Sequence, residues 1–152
     1  MPSEPTQSLP LDKLQQLAME PEQAQTHMLS ILGSLASDDE EVRAYASDCL
    51  EQIETPEPAA LAQLASHCTA HSAPVANWAC KLLGRIGTTD CQAPLIAALN
   101  EHGSIGVRQQ AALALTKIAD LQPGAIAALK QAALSDDPRL QRIAQQGLEK
   151  SN

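Results

Sequence analysis

The chain has 152 residues, of which 44% are hydrophobic but only 1% aromatic, with no Phe, one Trp, one Tyr and a formal net charge of −8. Apolar content carried by Ala and Leu, with only three valines, favours closely packed helices and excludes sandwiches, barrels and doubly wound sheets, which need β-branched and aromatic side chains. The length is that of one ordinary domain able to bury a core unaided, and the acidic balance disfavours nucleic acid, whose phosphates demand clustered Lys and Arg.

Residues 1–8 are expected to be a disordered tail and residues 9–150 a single repeat domain. The opening segment MPSEPTQSLPLDK has no basic flank followed by an apolar run; neither a secretory signal nor a membrane span is expected, and the location expected is the cytoplasm. Leu9, Leu14 and Leu17 supply the apolar face of a lone capping helix. Beyond it the sequence repeats. Val42, Val75 and Val107 lie 33 and 32 residues apart, and a further step of 33 reaches Leu140. Four residues past each anchor stand Ala46, Ala79, Ala111 and Ala144, and eight past it Leu50, Leu83, Leu115 and Leu148. Eleven past it stand Ile53, Ile86 and Ile118, with Ser151 breaking the pattern. Steps of four, four and three trace one stripe of an α-helix.

A second helix precedes each anchor, with Met28, Leu61, Ala93 and Ile126 fourteen residues upstream and Ile31, Leu64, Ile96 and Leu129 eleven upstream. The repeating unit is a helical hairpin, expected at about 21–54, 57–87, 91–119 and 122–150. Pro58, Pro94 and Pro123 fall in the first turns of leading helices, where a missing N–H costs little. Ser37-Asp38-Asp39 and Ser135-Asp136-Asp137-Pro138 supply capping oxygens to two trailing helices, and Gly84 and Gly87 suit a helix end. One hairpin buries too little to offset its own ordering entropy of about 1–2 kcal/mol per residue, so hairpins must share faces in a solenoid.

The segment SDDEEVRAYASDCLEQI, and more loosely SIGVRQQAALALTKIAD, resembles HEAT repeats of the short bacterial kind, as in the HEAT-like repeats of phycobilisome lyases. The resemblance implies an all-α, right-handed α-α solenoid, an armadillo-like superhelix of about four hairpins plus the capping helix, with trailing helices lining the concave face. The family places an Arg after the anchor; Arg43 and Arg108 match, Ala76 and Gln141 do not. Asp38 and Asp136 lie near the Asp that usually precedes it.

No complete reactive constellation is present. His67, Cys68 and His71 form the one metal-like cluster, since the two histidines could share a helical face, but further ligands are lacking. Glu101-His102 reverses the His-Glu ligand pair of HEAT-like hydroxylases, and a HEAT-like DNA glycosylase would need a basic, aromatic groove. No G-x-S-x-G elbow and no phosphate loop occurs. Asp38 to Glu41 lack EF-hand spacing. Cys49, Cys68, Cys80 and Cys91 form no C-x-x-C knuckle and read as scattered small apolar residues. The expectation is a protein without enzymatic activity, metal or cofactor.

Residues two, six and nine past each anchor point away from the apolar stripe, giving a ladder of Ala44, Asp48 and Glu51; Asn77, Lys81 and Gly84; Gln109, Leu113 and Thr116; Arg142, Gln146 and Glu149. Tyr45 and Trp78, both three past their anchors, are expected side by side along its edge, either as binding anchors or as gap fillers between hairpins. Candidate partner-binding residues are Tyr45, Asp48, Glu51, Asn77, Trp78, Lys81, Gln109 and Arg142. Residues 1–57 hold twelve acidic side chains against Lys13 and Arg43, a net of −10, and the remainder is +2. The acidic end suits a basic protein or peptide, or weak head-to-tail self-association of an otherwise monomeric chain, or is only a solvated surface. An accessory subunit of a bilin lyase-like enzyme is the alternative that the repeat type implies.

Overall fold

The computed structural model describes residues 8–151; the expected tail falls outside them, apart from Ser8. Among these residues there are ten α-helices and no strand. Chain contacts divide the protein into two compact units, residues 1–57 and 58–152.

In the first unit, α1 (Leu11–Met19) is followed by α2 (Pro21–Thr26), α3 (Met28–Ser34) and α4 (Glu40–Glu51). α2 and α3 are one leading helix turned at His27, which adopts φ −102° and ψ 14°. The His27 N–H still reaches the carbonyls of Gln23 (3.2 Å) and Ala24 (3.1 Å), so the turn leaves no donor orphaned. α4 is the trailing helix, and its Val42, Ala46, Cys49 and Leu50 are buried. The expected amino-terminal helix is α1, and it packs chiefly on α4 through Leu14 and Leu17. Gln52 donates to the Ala18 carbonyl (2.7 Å) and buried Ser34 accepts from the Leu9 N–H (2.8 Å), fastening both ends of α1.

The second unit is three stacked hairpins. α5 (Leu61–His67) pairs with α6 (Ala73–Ile86), α7 (Gln92–Glu101) with α8 (Ile105–Thr116), and α9 (Pro123–Ala132) with α10 (Pro138–Lys150). Trailing helices stack on trailing helices, α6 on α8 on α10, while α7 touches α5 and α9. Val75, Val107 and Leu140 are all buried, as are Ala79, Ala111 and Ala144. The sequence period is thus the period of the stack, an all-α solenoid arrangement.

The four trailing helices begin in register. Their N-caps, Asp39, Ser72, Ser104 and Asp137, each stand three residues before the anchor. The Asp39, Ser72 and Asp137 side chains accept from backbone N–H groups of their first turns. Ser37 and Ser135 do the same work for the caps themselves, each accepting from the next-but-one Asp N–H at 3.1 Å. The Arg after the anchor closes its own hairpin: Arg43 donates to the Ser37 carbonyl (2.7 Å) in the turn after α3, and Arg108 to the Leu99 carbonyl (2.8 Å) in the last turn of α7.

Two expectations are corrected. Ala93 is exposed, and the buried face of α7 begins one residue earlier at Gln92. Gly87, with φ 69°, does end α6, but Gly84 lies inside that helix, fully buried. A Cβ built on it would come 2.9 Å from the Ala114 Cβ and 3.1 Å from the Ala114 Cα. A Cβ on Gly147 would similarly meet Thr116 Cγ2 at 2.8 Å. Trailing helices therefore cross at residues nine past one anchor and seven past the next, and small side chains there set how closely the axes approach.

Candidate functional site

That crossing removes Gly84 from the ladder of outward positions, and half-buried Thr116 stands against Gly147 in the same way. The stripe of anchors identifies the face turned toward the hairpin partner, but a trailing helix inside a stack is also covered by its two neighbours. What stays open is the part of the face around positions two and six.

In the second unit this part forms a cavity of about 370 Å³. Asn77 of α6 and Gln109 of α8, each two residues past its anchor, line it together, with Gln110 and Leu113 of α8, the cap residue Ser104, and Arg139 from the first turn of α10. Arg142, two past its own anchor, is exposed on α10 but is not among the lining residues. Extending the period upstream finds Arg139, because Pro74, Gly106 and Arg139 each stand one residue before an anchor and all three line the cavity.

Gln109 is not a loose side chain. Its Nε2 donates to Asp137 Oδ2 at 2.8 Å, and the same oxygen accepts from the Leu140 N–H at 2.7 Å. The Leu140 N–H first, and Gln109 second, hold the Asp137 carboxyl below the usual carboxylate range. A wall of the cavity is thereby tied to the next helix.

Trp78 and Lys81 meet on α6. Both are half-buried, and Lys81 Nζ lies 4.5 Å and the Arg85 guanidinium 5.6 Å from the Trp78 ring centre. Cations three and seven residues along a helix reach the same ring, an attraction of about 0.5–1 kcal/mol at exposed sites. Half-buried Tyr45 and exposed Asp48 and Glu51 stand on α4, in the first unit.

The thiols gather rather than scatter. Cys68, Cys80 and Cys91 are fully buried in the second unit, and Thr88 Oγ1 lies 3.4 Å from Cys91 Sγ. The Cys68 thiol hydrogen-bonds with Cys80, and together with burial this pushes it up, as burial pushes Cys49 up to about 11. All four cysteines are free and buried, and the raised Cys49 and Cys68 thiols are poor nucleophiles at neutral pH. His67 Nδ1 lies 2.7 Å from the Gln63 carbonyl, and His71 is exposed whereas Cys68 is buried. Among the described residues no group of three or more His, Cys, Asp or Glu could hold a metal ion, and no helix is long and apolar enough to cross a membrane.

Two polar side chains that periodicity cannot flag join successive hairpins. Gln92, 1% exposed, donates to the Asp120 carbonyl and accepts from the Gln122 N–H, both at 2.8 Å. His102 Nδ1 accepts from the Ser104 N–H at 3.0 Å, so Nε2 carries the proton and donates to the Ala70 carbonyl at 2.9 Å. His102 thus joins the α5–α6 and α7–α8 hairpins through an imidazole bonded at both nitrogens.

No curated protein matches the chain. Among solved structures, a designed armadillo repeat protein in complex with the peptide (KR)4 is similar at a TM-score of 0.63 and 20% identity, over 93% of this chain and 75% of that one. Two engineered proteins are similar at TM-scores of 0.54 and 0.53, both at 21% identity and over 93% of this chain, covering 43% and 72% of theirs. These likenesses concern the fold, an all-α solenoid. Residues 61–149 match the HEAT repeats model, more than half of the sequence, and the chain belongs to the HEAT-repeat family.

Proposed function

We propose that the protein is a non-catalytic interaction module that holds a protein or peptide on the exposed part of its trailing helices. The observation that carries this reading is the cavity shared by α6, α8 and α10, where Asn77 and Gln109 recur at one position of consecutive hairpins. Side-chain amides both donate and accept, so a row of them suits the backbone of an extended chain. The fold supports the same use, since solenoids of this kind present extended binding surfaces, and the similar designed protein holds a peptide. On α4, Tyr45, Asp48 and Glu51 suit a basic segment. Four unbridged, buried cysteines fit a reducing compartment such as the cytoplasm.

The test is affinity for a partner isolated from the native cell, measured by calorimetry on the full chain. Asn77→Ala should weaken binding by about tenfold, within the range of interface hot spots, whereas Lys130→Glu, on the exposed face of the leading helix α9, should leave it unchanged. Loss of binding with Lys130→Glu alone would place the partner on the other face.

A further inference from the structure

The trailing helices of the second unit concentrate positive charge on an acidic protein. α6, α8 and α10 carry Lys81, Arg85, Arg108, Arg139, Arg142 and Lys150 against Glu149 alone, a net of +5. Their leading partners α5, α7 and α9 carry only Glu101 and Lys130, a net of zero. The remaining acids of this unit stand outside its α-helices, and Asp137, the one beside the cavity, has one of its two carboxylate oxygens, Oδ2, bonded to Leu140 and Gln109. Among the side chains lining the cavity, Arg139 is charged and exposed and none is a carboxylate.

We infer that this cavity takes an extended acidic peptide segment, with Arg139 pairing a side-chain carboxylate and Asn77 bonding the peptide backbone beside it. The inference rests on the proposed role of the trailing-helix face and names the partner chemistry at one part of it. A planar guanidinium receives a carboxylate through two parallel N–H donors, and Arg142 one turn further along α10 extends the positive field. A basic segment meets one carboxylate here, Asp137, whose Oδ2 is already taken by Leu140 and Gln109 and whose charge Arg139 and Arg108 already face. The (KR)4 peptide of the similar designed protein is therefore of the wrong charge for this cavity, whatever suits α4. A single strand of nucleic acid fits less well, because such grooves stack bases on open aromatic faces, and Trp78 has Lys81 and Arg85 over its ring.

Selection of random octapeptides by display against the full chain tests this directly. The expected outcome is enrichment of Asp and Glu, with binding of the enriched peptides weakened about tenfold by Arg139→Glu and weakened by added salt. Because Arg139 is exposed, its replacement should leave the circular dichroism and thermal midpoint of the free protein in place. Enriched peptides that are basic and respond to Asp48→Lys but not to Arg139→Glu would overturn the inference and leave the interaction-module reading standing. Enriched peptides indifferent to Arg139→Glu, Asn77→Ala and Asp48→Lys, or no enrichment at all, would sink both. Displacement of the acidic peptides by oligothymidine at comparable concentration would also overturn it, marking the cavity as a general phosphate or carboxylate surface.

Discussion

On α4, in the first unit, four acidic side chains face Arg43 alone; on the trailing helices of the second unit six basic side chains face Glu149 alone. Both units use one set of backbone devices: a cap three residues before the anchor, a buried aliphatic and alanine stripe, and an Arg that closes the hairpin in Arg43 and Arg108. The contrast teaches that the positions setting the backbone and the positions setting the surface are separate, so neighbouring hairpins can keep their geometry and reverse their charge. The units also differ in how their helices are covered. α4 has α1 against it within its unit, whereas α8 is packed between α6 and α10.

Leu115→Ala and Leu50→Ala probe that second difference most strongly, because both leucines are fully buried at the same repeat position. Each should cost about 2–5 kcal/mol, with Leu115 the costlier since a helix held between two neighbours collapses less readily onto a cavity. Urea unfolding followed by circular dichroism measures both, and a larger loss for Leu50 would reverse the comparison. Gln92→Ala should come next, at about 1–3 kcal/mol, because it strands the Gln122 N–H and the Asp120 carbonyl of the following hairpin. Hydrogen exchange would show whether protection falls first at residues 120–125, as expected, or evenly throughout the unit.

The smallest effect is acid sensitivity at the α10 cap. Asp137 is held below the ordinary carboxylate range in the folded protein, so it stabilises the fold above its unfolded pKa. That contribution disappears as pH falls through the folded value. Gln109→Ala should raise the Asp137 titration, seen in the side-chain carboxyl carbon signal, without restoring it fully, because the Leu140 N–H remains. An unmoved titration would mean that Gln109 does not hold the carboxylate.

Much of the fold was legible because the hairpin period places chemically similar residues at equal offsets, and a buried aliphatic stripe is visible to helical periodicity. Asp39 and Asp137 were legible as caps for the same local reason. Gln92 was not, since an amide in a buried stripe looks like an exposed position until its two backbone partners, thirty residues away in the chain, are known. Gly84 looked like a helix end because its part in the α6–α8 crossing depends on how helices stack, which no single helix encodes. Of the residues lining the cavity, Asn77 and Gln109 were legible as equivalent positions two past their anchors. Arg139 was missed because the ladder was counted only downstream of the anchors.

The bonds that join one hairpin to the next have a consequence for any rearrangement of the chain. Arg43 and Arg108 close bonds inside their own hairpins, but Gln92, His102 and Gln109 reach into a specific neighbour. Shuffling the modules would leave each one internally complete and yet deprive a buried amide of its acceptor, so linear order in this array is enforced by misfit polarity rather than by greasy contact alone.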